Sequence, residues 1–238
     1  MRTAYTVFRN LYNVRKMTMK LVLASGSQRR RELLTMCGYD YEIIVSNADE
    51  TIDESDPENF VRALSFRKAK DVFDRLFAAG RRDFAVIGSD TVVAFQKDGE
   101  TKPVIIGKPK DAEDAVRILS MLSGKTHRVF TGVSVIADIS DENADAQCSI
   151  RERAEIQTEC SITEVTFETL SPDEITDYVN SGDPLDKAGS YGIQGPFGMF
   201  VREIRGNYFT VIGMPIPVLY KMLKKIGILP HGFYERIE

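Results

Sequence analysis

The 238-residue sequence has little cysteine, little histidine and no long apolar run, and each shortage removes a class of protein. Its three cysteines, Cys37, Cys148 and Cys160, are odd in number and nowhere spaced C-x-x-C. That excludes a disulfide framework and a cysteine-built zinc site, and it fits a reducing compartment. No apolar stretch reaches the roughly 18 residues of a membrane span, so a soluble chain with no membrane partner is expected. Positive charge is not in excess either: 31 Lys and Arg against 35 Asp and Glu leave a formal net charge of −4. A nucleic-acid backbone calls for a basic surface, so no nucleic acid is expected as a partner. A small polyphosphate held in a local basic pocket remains compatible with this balance. Internal repeats are absent.

What is present suits a globular protein. The hydrophobic share of 43% is enough for a core, in one large domain or two small ones. Charge is unevenly placed at the start, where Arg2, Arg9, Arg15, Lys16 and Lys20 precede the first acidic residue, Glu32. Such a bias resembles an organelle transit peptide, but serine is scarce there. The favoured reading is a disordered basic extension over residues 1–19, with Met17 or Met19 as an alternative start, and a cytoplasmic protein rather than a mitochondrial one.

Strand and helix patterns alternate along the chain. Leu21 to Ala24 reads as a strand, Gln28 to Met36 as a helix stopped by Gly38, and Tyr41 to Val45 as a second strand. Asp56-Pro57 opens a long helix to about Ala79, with an apolar face through Phe60, Leu64, Val72 and Leu76. Phe84 to Ile87 is a buried-type strand ending in Gly88-Ser89-Asp90. Asp111 caps a helix presenting Ala115, Ile118, Leu119 and Leu122, and Arg128 to Ile136 and Ala154 to Phe167 read as long strands. The acidic stretch from Asp138 to Cys148 has no periodicity and reads as a loop. Ser171 and Glu174 form a capping box, Met199 to Ile204 is strand-like, and Pro215 to Ile226 closes the chain as a helix. Strands interleaved with helices give an α/β protein, and the long middle strands favour a mixed sheet.

Several segments carry chemistry. Ser25-Gly26-Ser27-Gln28-Arg29-Arg30 sits at a strand end and helix start, where free N–H groups, hydroxyls and guanidiniums suit phosphate oxygens. A Ser-capped helix with solvated arginines explains the same residues equally well. Asp90 interrupts the apolar run Val86 to Val93 at what reads as a carboxyl strand end, the usual place for a ligand in open α/β sheets. A turn aspartate between two strands is the bland alternative. Lys108 follows in a Gly-Lys-Pro loop, and Asp49-Glu50-Thr51 adds carboxylates that could share a metal with Asp90. Ser123-Gly124-Lys125-Thr126 echoes a phosphate loop, but Leu119 replaces its first glycine, so that motif is rejected. His127 reads as a packed or hydrogen-bonded residue at a strand start. Lys187 and Gln194 lie in the glycine-rich run Asp186 to Gly195, where Gln194 offers one donor and one acceptor face, although by itself such a run is more often a flexible loop than a site.

The order of these segments is more specific than any one of them. S-x-S-x-R-R, D-E-T, G-S-D-T-V-V, G-K-P, L-S-G-x-x-H-x-V-x-T-G-V and D-K-A-G-x-Y-G-I-Q-G together resemble the Maf family of nucleotide pyrophosphatases, from about Lys20 to Gly227. The resemblance implies an elongated α/β fold, related to inosine triphosphate pyrophosphatases, with two lobes around a deep cleft. It implies a domain over residues 20–229, between the basic extension and a tail of residues 230–238. Asp90 matches the catalytic carboxylate. Arg29, Thr91 and Gln194 match the positions that separate substrate subgroups, and here they resemble the dTTP and UTP branch. Ser25, Ser27, Arg30, Lys68, Lys108 and Lys187 fall where phosphate is held, and Glu50 with Asp90 where a divalent metal, Mg²⁺ or Mn²⁺, is held. Gln28 departs from the usual proline, and the region from Asp138 to Arg153 is longer than usual. The expected reaction is water attack on the α-phosphorus with pyrophosphate leaving. Alternatives are the 7-methyl-GTP branch, a broad house-cleaning pyrophosphatase, or a non-catalytic nucleotide-binding regulator of division. A homodimer is the default assembly.

Overall fold

A computed structural model describes residues 19–97, 99–100, 102–139 and 149–231. The basic leader, Cys148, residues 140–148 of the acidic loop and residues 232–238 of the tail lie outside the described residues. The elements are β1 (Lys20–Leu23), α1 (Gln28–Met36), β2 (Tyr41–Ile43), α2 (Pro57–Ala78), β3 (Phe84–Phe95), β4 (Val104–Ile106) and α3 (Ala112–Leu122). There follow β5 (Thr126–Asp138), α4 (Ile150–Arg153), β6 (Ala154–Phe167), α5 (Pro172–Asn180), β7 (Val201–Arg205), α6 (Tyr208–Ile212) and α7 (Ile216–Lys225). Three 3₁₀ turns, Asp183–Asp186, Ala188–Ser190 and Pro196–Phe200, join α5 to β7.

One seven-stranded sheet runs β2-β1-β3-β5-β6-β7, with β4 also paired to β3. β1 is parallel to β2 and β3, and the other pairs are antiparallel, which gives the mixed sheet expected. The capping chemistry forms as read: the Asp56 carboxylate accepts from the Asn59 N–H at 2.9 Å, and Ser171 with Glu174 closes a capping box.

One reading is corrected. The strand from Phe84 does not end at Ile87; β3 continues to Phe95, because β5 pairs with it without a break from Ala85 to Ala94. Asp90 therefore lies in mid-strand rather than at a strand end or turn. The apolar face expected of α2 forms: Val61, Leu64, Ser65, Ala69, Val72, Phe73 and Phe77 are buried, and Phe60 and Leu76 pack half-buried at its margins. Its small residues face the sheet because two strand glycines meet it there. A Cβ on Gly88 would stand 2.1 Å from the Ser65 carbonyl oxygen, and one on Gly132 would stand 2.2 Å from that of Val61. These two glycines let the helix backbone lie close on the sheet.

The core occupies two ends of the sheet. At one end Leu21, Leu23, Ile87 and Val135 pack beneath α1 and α7, and Val22, Phe84, Val86 and Ile136 pack on the opposite face beneath α2. At the other, Val93, Val129, Val165 and Phe167 hold α3 and α5. Between them the same strands bury polar residues, Ser89, Asp90 and Thr131. The two expected lobes correspond to these apolar ends, with a polar waist across one continuous sheet.

His127, at the start of β5, is a core residue. It is 2% exposed, packs edge-on to Phe167 and Tyr191, and places Nε2 3.1 Å from the Tyr191 hydroxyl. Burial pushes its pKa down from 6.5 to about 3. Between those values the unfolded chain binds a proton that the folded chain refuses, so stability falls as pH drops from about 6.5 towards 3. We predict that His127→Gln flattens this part of the profile, read from urea midpoints at pH 7, 5 and 4. Equal slopes in the variant and the parent would show that other groups cause it.

Candidate functional site

The sheet has a gap at its waist. β1 covers the flank of β3 from Phe84 to Ile87, and β4 covers the same flank from Val93 to Phe95. From Gly88 to Val92 that flank faces neither strand, while β5 occupies the other side. The chain leaving β1 passes the gap as Ser25-Gly26-Ser27 before α1 begins.

Strand alternation divides the residues that meet there. Asp90 points to the α2 face, where its Oδ1 accepts from Lys68 Nζ at 2.7 Å. The same ammonium is 3.1 Å from Glu50 Oε1. Asp90 is 8% exposed and the Glu50 side chain 64%, so one carboxylate is enclosed and the other stands at the solvent edge. Close seating of α2 on Gly88 and Gly132 brings Lys68 within reach.

Thr91, the next residue, points to the opposite face. Arg30 meets it there at 3.4 Å, donates from Nε to the Gly213 carbonyl at 2.9 Å, and donates to Ser25 Oγ at 3.1 Å. The Ser89 hydroxyl lies between two carbonyl acceptors, Gly132 O at 2.9 Å and Gly213 O at 3.0 Å, and shares its one proton between them. Thr131 Oγ1 gives its only proton to the Thr210 carbonyl at 2.7 Å, so in its 3.0 Å contact with Thr91 the Thr91 hydroxyl is the donor. The Thr91 lone pair is left for Arg30. The carbonyls at the end of α6 thus act as acceptors for site side chains, as helix ends require. Burial pulls the Arg30 pKa below its ordinary value, opposed by Asp90 and Glu50 and reinforced by Arg29. The charges on the two faces of β3 therefore sense one another.

A third group lies in the loop after α5. Lys187 Nζ donates to Asp183 O at 2.5 Å and to Asp186 Oδ1 at 2.7 Å, and it is 3.0 Å from Asp183 Oδ1. Asp186 also faces Arg29 at 3.7 Å. Burial works against the charge of Asp186, but Lys187 and then Arg29 outweigh it and hold its pKa below the usual value. The Gly189 N–H donates to Gly107 O at 3.0 Å, which ties this loop to the segment carrying the exposed Lys108. Gln194 is exposed at the far turn of the loop.

Ser25, Arg30, Lys68, Asp90 and Thr91 thus gather at the waist, with Glu50 at its edge, while Arg29, Lys108, Lys187 and Gln194 belong to the loop side. Ser27 donates its N–H to Ser25 Oγ at 3.2 Å and accepts the Arg31 N–H on its carbonyl at 3.2 Å, but its side chain makes no cap to α1. Sequence reasoning passed over Thr131, Gly213, Tyr178 and Asp183. The acceptor of Thr131, the Thr210 carbonyl, lies 79 residues further along the chain, and nothing local in the sequence signals it. Among the described residues no group of three His, Cys, Asp or Glu side chains is placed to hold a metal ion, so Asp90 and Glu50 stand as a pair. No helix among those residues is long and apolar enough to cross a membrane.

Fold and site together define an α/β protein that gathers cations around a buried carboxylate where its sheet is left uncovered. The chain belongs to the Maf-like protein family, whose model matches residues 20–226. It is 43% identical over 210 residues to a protein of Bacillus thuringiensis subsp. konkukian named dTTP/UTP pyrophosphatase, covering 88% of this chain and 96% of that one. A protein of the same name from Lachnoclostridium phytofermentans is 41% identical over 209 residues, with the same coverage of both chains. A structure of the Staphylococcus aureus Ham1 protein covers 87% of this chain and 99% of its own, at 15% identity and a TM-score of 0.47.

Proposed function

We propose that this protein hydrolyses dTTP and UTP to the nucleoside monophosphate and pyrophosphate. The observation carrying this reading is the enclosed Asp90 carboxylate, held by Lys68 with Arg30 across the gap, in a chain 43% identical to a dTTP/UTP pyrophosphatase. Asp90 takes the proton of the water attacking the α-phosphorus. Arg30, Lys68, Lys108 and Lys187 hold the phosphates and offset charge developing on the departing pyrophosphate, with Ser25 and Ser27 contributing donors. Arg29, Thr91 and Gln194 set substrate choice, Gln194 by hydrogen-bonding a pyrimidine edge.

Two carboxylates converging on the single Lys68 ammonium fit the oxygen-donor preference of Mg²⁺ or Mn²⁺, so Asp90 and Glu50 would hold such an ion. Bound there, it would supply positive charge at the phosphates and a more acidic water.

Pyrophosphate release in the presence of Mg²⁺, compared across dTTP, UTP, CTP, GTP and 7-methyl-GTP, tests this reading. Turnover of dTTP and UTP above the rest is expected. Preference for 7-methyl-GTP would keep the reaction and overturn the roles of Arg29, Thr91 and Gln194. No turnover of any nucleotide would favour a non-catalytic nucleotide-binding protein.

A further inference from the structure

The loop that carries Lys187 and Gln194 is fastened from behind by a side chain the reaction does not use. Tyr178, on α5, is 6% exposed, and its ring packs 4.8 Å from that of Phe197. Its hydroxyl accepts from the buried Gly192 N–H at 3.1 Å. It also lies 2.5 Å from Asp183 Oδ2, and because the carboxylate has no proton to give, the phenol donates. Burial first, and then the Asp183 hydrogen bond, push the Tyr178 pKa up, so the phenol keeps that proton. Asp183 uses its other oxygen on Lys187, 3.0 Å away. The line of contacts therefore runs from the Gly192 amide through Tyr178 and Asp183 to the Lys187 ammonium.

Gly192 completes the fastening. A Cβ there would stand 2.7 Å from Lys187 Cε and 2.9 Å from Cδ, so the lysine stem lies directly on the glycine. Gly192 O then accepts from Gly195 N–H at 3.1 Å and closes the turn that presents Gln194. One phenol thus reaches both ends of the loop, the Gly192 amide directly and Lys187 through Asp183.

The geometry points to Tyr178 as a positioning residue that sets nucleotide affinity and pyrimidine preference through Lys187 and Gln194, without touching the substrate. This rests on the proposed dTTP and UTP hydrolysis. Tyr178→Phe isolates the hydroxyl, since the ring and its packing on Phe197 remain. A buried amide left without its acceptor is costly and frees the turn that holds it. The expected result is a KM for dTTP raised about tenfold with kcat within about twofold of the parent. The dTTP-over-GTP ratio of kcat/KM should fall by a similar factor, and the Gly192 amide should exchange faster with deuterium. Asp183→Asn, which keeps an acceptor for Tyr178 but removes the charge facing Lys187, should raise KM while leaving Gly192 exchange slow. It also serves if Tyr178→Phe folds poorly.

An unchanged KM and substrate ratio in Tyr178→Phe would overturn the inference, and so would a loss confined to kcat. If the parent turns over no nucleotide, the proposed function fails, and Gly192 exchange alone then decides whether the phenol holds the loop. Unaltered exchange would refute it.

Discussion

Asp90→Asn is expected to lose at least about 10²-fold in kcat for dTTP while keeping most of its affinity for the nucleotide. The substitution preserves volume and leaves an acceptor oxygen for Lys68, whose ammonium also retains Glu50 at 3.1 Å. What disappears is the ability to accept a proton and the negative charge of an enclosed group. Because the amide stays hydrogen-bonded, the fold should survive, and equal thermal midpoints would separate lost chemistry from lost structure. Glu50→Gln, at the solvent edge, should cost less. The measurement is steady-state pyrophosphate release over a range of dTTP concentrations. Near-parental turnover by Asp90→Asn would remove Asp90 from the reaction.

The second large effect is structural. Gly132→Ala would place a methyl carbon 2.2 Å from Val61 O and 2.5 Å from Val61 C, both backbone atoms of a 22-residue helix that cannot step aside locally. Overpacking typically costs about 1–3 kcal/mol, and a clash with backbone belongs at or above the upper end. A loss of about 3 kcal/mol should lower the melting temperature by about 6–12 °C in a chain of this size. Gly107→Ala, where the new carbon would meet nothing within 4 Å, is the control and should melt with the parent. Gly132 sits opposite Asp90 in the strand register, so lifting α2 also withdraws Lys68 from its carboxylate. The alanine variant should therefore lose activity even at temperatures where it remains folded. A melting temperature within about 2 °C of the parent would show that the close approach of α2 is not needed.

Local rules served where the answer was local. Asp56 and Ser171 begin helices because their side-chain oxygens meet N–H groups three residues on, which the sequence displays directly. The long strands ending at Asp138 and Phe167 follow from their run of strand-forming residues. Gly88-Ser89-Asp90 misled for an equally local reason: glycine and aspartate signal turns unless a neighbouring strand holds them extended, and β5 does so. The apolar spacing of α2 locates its inward face, since Leu64 and Val72 are buried and Phe60 and Leu76 pack at its margins, but it does not reveal the small residues on that face. Two glycines on strands far away in sequence drew Ser65 and Ala69 to the contact.

The candidate site divides in the same way. Sequence alone determined which residues are available: the hydroxyls and arginines after β1, the isolated Asp90, the lysines of α2 and of the two loops, and their order along the chain. Residue type and spacing suffice for that, as hydrogen-bonding capacity and charge belong to the side chain. Only the tertiary structure decided which of them meet. Adjacent strand residues point to opposite faces, so Asp90 faces Lys68 while Thr91 faces Arg30, and the gap between β1 and β4 lets the two groups act on each other. The acceptors that fix Arg30 and Thr131 come from the end of α6, more than a hundred residues from α1. Contacts of that range are set by packing of the whole sheet, and no local pattern encodes them.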